Sequence, residues 1–332
     1  MSVYSIRPIT LGGVRTYPLA SRKSKVTVAD FAKHVPRAAA ARKLLDGLPD
    51  ILAGRDLRQL CAGIQEARRR KRAIVWGIGG HVIKVGLAPV LIELMDAGFV
   101  SGIAMNGAAL IHDFEIALAG KTSEDVEAGI GKGEFGMAEE TAGGINEIAK
   151  LAQRIRIGYG EAAGQYLKSG ILARCTDKSV LVGAYQRKIP VTVHVAIGTD
   201  IPHMHPSAEG AALGAASYTD FRLFCSLVEQ MGGGVYLNWG SAVVLPEIFL
   251  KAVSVVRNLG VPLNAITTAN FDFIQHYRAV TNVVKRPTAA SKPRGRNASR
   301  GYAITGHHEI MMPLLGAALL AGWPGKGRRP KP

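Results

Sequence analysis

Residues Ala73–Ala119, AIVWGIGGHVIKVGLAPVLIELMDAGFVSGIAMNGAALIHDFEIALA, decide the fold. The stretch opens on a short apolar run, Ala73 to Gly77, that stops in glycine. From His81 to Ala97 the apolar residues Val82, Val85, Val90 and Leu94 recur at helical spacing. A second short run, Val100 to Met105, leads into the helix-like Ala108–Ala119. Short apolar runs that each feed a longer helical pattern predict β-α-β-α order with parallel strands.

The same alternation resumes further on. Pro190–Ile197, Gly233–Leu237, Leu263–Thr268 and Gly301–Thr305 read as strands. Ala208–Met231, Leu245–Leu259 and Ile310–Ala321 read as helices. Right-handed crossovers then place helices on both faces of a Rossmann-like α/β sheet. Between the two blocks, Gly120–Gly143 is rich in Gly and Glu and reads as a loop with short helices, followed by helices Gly144–Ile157 and Glu161–Leu172. Residues 1–72 read as a basic helical extension, with Val28–Leu45 and Leu57–Arg70 helix-like and Gly54 between them. Residues 73–323 are expected to form one main α/β domain, the part that would carry any active site, and 324–332 a basic tail; Thr288–Arg300, polar and basic, reads as a mobile loop.

The 332 residues, 48% hydrophobic and 20% charged, suffice for a large buried core and exclude global disorder. No apolar run reaches the ~18 residues of a membrane span, and Met1–Pro18 lacks the apolar core of a signal peptide. Cys61, Cys175 and Cys225 have no metal or redox spacing and predict reduced thiols in a cytoplasmic protein. The net charge of +16 gathers in Arg68–Arg72, Lys285–Arg300 and Lys326–Lys331. No aromatic residues interleave with these runs, which weighs against nucleic acid and leaves an acidic protein partner or an anionic substrate open.

Ligands of an open parallel sheet bind beyond the carboxyl ends of its strands. The turns expected there are Gly77-Ile-Gly79-Gly80-His81, Asn106-Gly107-Ala108, Gly198-Thr199-Asp200, Asn238-Trp239-Gly240-Ser241, Thr267-Thr268-Ala269 and Gly306-His307-His308. Small residues let backbone N–H groups approach a phosphate. Of nine histidines, His81, His112, His203, His205, His276, His307 and His308 fall near predicted strand ends, and their convergence predicts a site. His203, His205 and His307, with Asp200 or Glu309, define a metal-dependent alternative. Without an H-E-x-x-H motif or a cysteine ligand, no metal is assigned. No full G-x-S-x-G elbow surrounds Gly240-Ser241, so acyl transfer is poorly supported.

Five segments resemble the deoxyhypusine synthase family, which includes homospermidine synthase. They are Ile103–Asp113 (IAMNGAALIHD), Lys188–Asp200 (KIPVTVHVAIGTD), Gly232–Val235 (GGGV), Ile266–Ala269 (ITTA) and Tyr302–Leu315 (YAITGHHEIMMPLL). Gly120–Asp125 and Gly136–Glu140 also resemble bacterial and archaeal members. The resemblance implies an NAD-dependent transferase. It oxidises a polyamine and passes the aminobutyl group through an imine on a lysine. It also implies a homotetramer with sites shared between subunits. Carried over by motif, the NAD contacts are Gly80, His81, Asn106, Gly107, Asp200, Gly233, Gly234, Thr267, Thr268, Ala269 and His307.

Lys285, in Val283-Val284-Lys285-Arg286-Pro287, is the candidate for the imine lysine, with Lys292 second. His205 and Asn238 stand where the family has an acid and a histidine, and Gln275-His276 fills another acidic region. These three departures predict a pocket poor in carboxylates, which would bind a polycation badly. Two other readings stay open beside the transferase and the metal enzyme: an NAD-binding oxidoreductase on a non-polyamine substrate with histidine acid–base chemistry, and a basic binding protein with a vestigial site.

Overall fold

A computed structural model describes residues 9, 11–32, 39–170, 173–289 and 298–323. Its strands are β1 (Ser24–Thr27), β2 (Ile74–Ile78), β3 (Gly102–Asn106), β4 (Lys121–Glu124), β5 (Val191–His194), β6 (Val235–Trp239), β7 (Thr267–Asp272) and β8 (Arg300–Thr305). Six of them form one sheet in the order β5-β3-β2-β6-β7-β8. Every neighbouring pair in it is parallel. The chain lays β2, β3 and β5 outward in one direction, then returns to place β6 on the other side of β2. This is the Rossmann-like α/β topology that the alternation predicts, with its switch point between β2 and β6.

Each central strand is buried on both faces, which is why it reads as an unbroken apolar run. Ile74, Trp76, Ile78, Leu237, Trp239 and Phe271 enter one core. Val75, Ala104 and Tyr236 enter the other. Trp239 stacks on its cross-strand neighbour Phe271 at 3.9 Å between ring centres, and Tyr236 stacks on Phe249 at 3.8 Å on the opposite face.

Several predicted boundaries move. The helix Leu52–Arg69 contains Gly54 and sends Leu57, Leu60, Cys61 and Ile64 into the first core, so this part of the lead packs with the sheet. Of the helix predicted over Val28–Leu45, the start is a 3-10 turn, Val28–Asp30, and the end lies in the helix Ala39–Asp46; the strand β1 just before it pairs antiparallel with β4 inside the expected loop. The segment His81–Ala97 breaks into Gly80–Lys84 and Ala88–Asp96 at Gly86, whose φ is +79°. The helix expected from Gly144 starts at Glu139. Gly144 serves a close helix crossing, since a Cβ there would lie 2.5 Å from Phe114.

Among the strands the largest shift is in β7. Leu263 and Ala265 have φ of +49° and +56°, so Leu263–Ile266 is a turn and the strand begins at Thr267. Residues 290–297 of the expected loop, including Lys292, and the tail 324–332 lie outside the described residues. No described helix is long and apolar enough to cross a membrane.

Buried titratable groups brace the sheet. Asp220 accepts from the Gly160 and Val193 amides at 2.9 and 2.6 Å, tying β5 to the helix Tyr159–Ser169. Burial lifts Asp220 from 3.8 to about 7 and Asp113 to about 6. Burial also lowers His112 from 6.5 to about 4 and His194 to about 3. A raised acid stabilises the fold below its unfolded pKa, and this contribution disappears as pH climbs through the folded value. The depressed histidines stabilise it above their unfolded pKa and lose that as pH falls through the folded value. The two pairs therefore oppose one another at mildly acidic pH. Asp220→Asn removes one raised acid. Its melting temperature, relative to wild type, is expected to rise between about pH 4.5 and about pH 7.5. Calorimetry across that range checks this, and a pH-independent difference would contradict it.

Candidate functional site

The ends of β2 and β6 meet closely at the switch point. The Gly79 amide donates to the Trp239 carbonyl at 2.8 Å. A Cβ on Gly79 would sit 2.1 Å from the Gly240 carbonyl oxygen, and one on Gly240 would meet the His308 ring at 2.8 Å, so neither position has room for a side chain. Gly240 itself has φ +64°, a conformation that glycine adopts without strain. One residue on, a Cβ at Gly80 would meet Ala108 at 2.8 Å and His112 Cδ2 at 3.1 Å. After β3, Asn106 caps the helix Gly107–Ala119 by accepting from the Ala109 amide at 2.9 Å. The Asp200 carboxylate lies against Gly107, 2.2 Å from where a Cβ would be. Burial lifts Asp200 above the ordinary carboxylate range, against the opposing effects of the Ala196 amide and His203.

Beside Asp200 is a cavity of about 260 Å³, lined among others by Arg22, Lys84, His112, Glu115 and Glu124. Arg22 comes from the N-terminal lead and grips Glu115 with both terminal nitrogens, at 2.6 and 2.8 Å. Both side chains are buried, at 5% and 2% exposure. Thr122 and Thr141 also donate to Glu115, and Thr122 contacts His112 Nδ1 at 2.8 Å. Glu124 accepts from the Tyr17 hydroxyl at 2.9 Å. The cavity thus has three carboxylates in or near its wall, Asp200, Glu115 and Glu124.

The other flank of the crevice is aromatic. His81 packs edge-on to His308 at 5.4 Å, and the more exposed Phe273 stacks on His307 at 5.9 Å. His308 is buried, with Nε2 3.2 Å from the Phe271 carbonyl and Nδ1 without a hydrogen bond. Beneath, the buried Asn238 amide nitrogen donates to the Ser241 carbonyl and to Asn270 Oδ1, and Asn270 donates to Gln275.

The predicted contacts divide between two edges of the sheet. Gly80, His81, Asn106, Gly107, Asp200 and His307 gather at the carboxyl edge. Gly233 and Gly234 precede β6, and Thr267 N donates to Gly234 O at 2.9 Å. Thr267 pairs with Val235 and Arg300, the first residues of their strands. These residues, with the buried Thr268 and Ala269, therefore belong to the amino half of the sheet, as a consequence of the shifted β7.

Three further candidates stand apart from the seam. Asn238 is fully buried under it. His205 bonds the Ser207 hydroxyl and amide and comes within 3.9 Å of a Cβ position at Gly143, facing the helix Glu139–Ile155. Lys285 is exposed at the end of a π-helical turn. Val284 beside it packs its carbonyl on Gly301, near the start of β8, so Lys285 too lies toward the amino edge. The His203 ring accepts from the Gly198 amide, and no group of three His, Cys, Asp or Glu among the described residues could hold a metal ion.

Residues absent from the sequence-based set complete the carboxyl edge beside the expected His112: Lys84, Glu115, Asp272, Phe273 and the N-terminal Arg22. The run Asn270-Phe-Asp-Phe273 would have marked the true end of β7 had the strand been extended by four residues. A larger cavity, about 540 Å³, lies beside Lys188–Val191 at the opposite end of β5 and contains none of the convergent turns.

No family model matches the chain. Over 243 residues it is 24% identical to a Methanosarcina mazei protein named probable deoxyhypusine synthase 2, covering 65% of this chain and 68% of that one. This is a distant link to the family whose loops the sequence resembles. A conserved LOR/SDH protein of Methanococcus maripaludis S2 superposes with TM-score 0.47 at 17% identity, covering 81% of this chain and 70% of that one. AgrE, in a ternary complex with ornithine and NAD+, superposes with TM-score 0.47 at 18% identity over 85% of this chain. The chain spans only 33% of AgrE. A protein of Entamoeba histolytica named for deoxyhypusine synthase gives TM-score 0.44 at 11% identity, over 79% of this chain and 86% of that one. The fold class rests on strand order and not on these superpositions.

Removing one partner of a buried ion pair leaves an uncompensated charge, at a cost of about 3–5 kcal/mol. Arg22→Ala is expected to lower unfolding stability by that order in urea titration. Arg69→Ala, which breaks an exposed pair with Glu66, is expected to leave the midpoint nearly unchanged. Equal effects of the two variants would contradict the burial of the Arg22–Glu115 pair.

Proposed function

We propose that this chain is an NAD-dependent enzyme that oxidises a small amine at the β2/β6 crevice, a chemistry of the deoxyhypusine synthase type. The observation that carries the proposal is the side-chain-free seam of Gly79 and Gly240, continued by Gly80 and by Gly107 with Asp200 seated on it. A dinucleotide needs close backbone approach for its pyrophosphate and an acid for a ribose hydroxyl, and a switch-point crevice is where folds of this topology take it. When bound, the nicotinamide supplies a hydride acceptor.

The chain's own residues bind and orient. Asp200 and Glu124 form no ion pair among the described residues and suit hydroxyl or ammonium groups of ligands. Oxidation of a secondary amine yields a C=N group, and a lysine amine can displace the original amine from it, forming a lysine imine and releasing a primary amine. Lys84 is the lysine in the cavity wall, so the transfer half of the reaction is assigned to Lys84 and not to Lys285. The distant relative's name supports this chemistry as well as the crevice does.

NAD+ is expected to perturb the fluorescence of Trp239, whose ring lies 6.0 Å from His308. Gly107→Ala, which displaces Asp200, is expected to weaken that binding by about tenfold or more. With NAD+ and spermidine or putrescine, reduced cofactor is expected to form by absorbance. Lys84→Ala is expected to keep cofactor reduction and lose aminobutyl transfer, whereas Lys285→Ala keeps both. Absence of NAD+ binding at millimolar concentration would overturn the proposal. Loss of transfer in Lys285→Ala alone would return the lysine role to that residue.

A further inference from the structure

Glu115 has no acceptor position to spare. Its Oε1 accepts from Arg22 Nη1 and from Thr141 Oγ1 at 2.6 and 2.9 Å. Its Oε2 accepts from Arg22 Nη2 and from Thr122 Oγ1 at 2.8 and 2.5 Å. A carboxylate offers about four acceptor positions and no proton. The Thr122 hydroxyl hydrogen is therefore directed at Glu115. The same oxygen lies 2.8 Å from His112 Nδ1. With its one hydrogen already committed, Thr122 can only accept there, so Nδ1 must carry the proton and donate.

We infer that Arg22, Glu115 and Thr122 are positioning residues that hold His112 in the Nδ1–H tautomer, so that its bare Nε2 accepts a hydrogen bond or a proton from an N–H or O–H group of a ligand in the cavity beside Gly80. Cδ2, the ring atom bonded to Nε2, is the His112 atom nearest the Gly80 Cβ position, at 3.1 Å. The ring lines the cavity together with Lys84 and Asp200. Its Nε2 makes no hydrogen bond among the described residues. Burial keeps the ring neutral near pH 7, against Glu115; Lys84, Arg22 and His81 act in the same direction as burial. An unconstrained histidine exchanges its two neutral tautomers, and it is the partner of one nitrogen that fixes the role of the other.

The ligand chemistry follows from what amine oxidation requires. Hydride departure from carbon is driven by the lone pair on the adjacent nitrogen, so a substrate ammonium must first lose a proton. His112 Nε2 would receive that proton or the hydrogen bond of the neutral amine N–H, and a bound nicotinamide would supply the hydride acceptor. This last step rests on the proposed dinucleotide reaction; the tautomer does not, because it is set by Thr122 and Glu115 in the ligand-free chain.

Long-range proton–nitrogen correlation spectra of the full chain labelled with ¹⁵N-histidine, near neutral pH, test the inference. The His112 signals are assigned by their loss in His112→Gln. The expected pattern is a protonated Nδ1 and an unprotonated Nε2. Thr122→Val is expected to shift His112 toward the Nε2–H form, and Thr122→Ser to restore the original. A wild-type Nε2–H tautomer overturns the inference, as does an unchanged tautomer in a folded Thr122→Val. If Thr122→Val does not fold, the wild-type spectrum decides alone. The Nδ1–H pattern without any NAD+ binding would leave the relay standing and remove the dinucleotide reaction.

Discussion

No side chain fits between the ends of β2 and β6. The carbonyl of Gly240 occupies the space that a Cβ on Gly79 would need, and the remaining contacts of the site follow from that seam. It brings the helix Gly80–Lys84 onto the first turn of Gly107–Ala119, where Ala108 and His112 pack on Gly80. The same first turn leaves Gly107 bare, and Asp200 fills that position. Four strand-end turns, those after β5, β3, β2 and β6, are thereby locked together through positions where a β-carbon would collide.

Burying Arg22 and Glu115 carries a desolvation cost that their attraction offsets only with good geometry and filled hydrogen-bonding positions. Both conditions hold at Glu115. The pair converts part of the N-terminal lead into a wall of the cavity, and it joins that lead to Thr122 and His112. A pair of apolar side chains would fill the same space without directing the Thr122 hydroxyl. The specificity of that orientation is a physical reason for a charged pair at this depth.

Much of the fold was legible because each central strand is buried on both faces, so that Ala73–Gly77 and Val100–Met105 read as apolar runs. Strand-end logic then reached Gly80, His81, Asn106, Gly107, Asp200 and His307, all at the carboxyl edge. It went wrong at β7. Leu263 and Ala265 adopt left-handed backbone conformations that non-glycine residues rarely take, so an apolar run that looks extended is a turn. The four-residue shift assigns Thr267–Ala269 to the amino half of the sheet and Asn270–Phe273 to the carboxyl end. Glu115 was illegible for another reason. Its partner Arg22 lies 93 residues away, and no spacing rule anticipates such a contact. Lys285 ends a turn of π-helix that returns the chain toward the start of β8, a change of level that composition does not encode.

The central claim is that the ligand lies at the carboxyl edge, over the Gly79–Gly240 seam. Hydrogen–deuterium exchange with and without NAD+ tests it most directly, because the two edges fall in different peptides. The account predicts slower exchange in segments containing Gly79–His81, Asn106–Ala108 and Gly240–Val243, with Gly232–Gly234 and Thr267–Thr268 unchanged. Protection confined to Gly232–Gly234 and Thr267–Thr268 would contradict it.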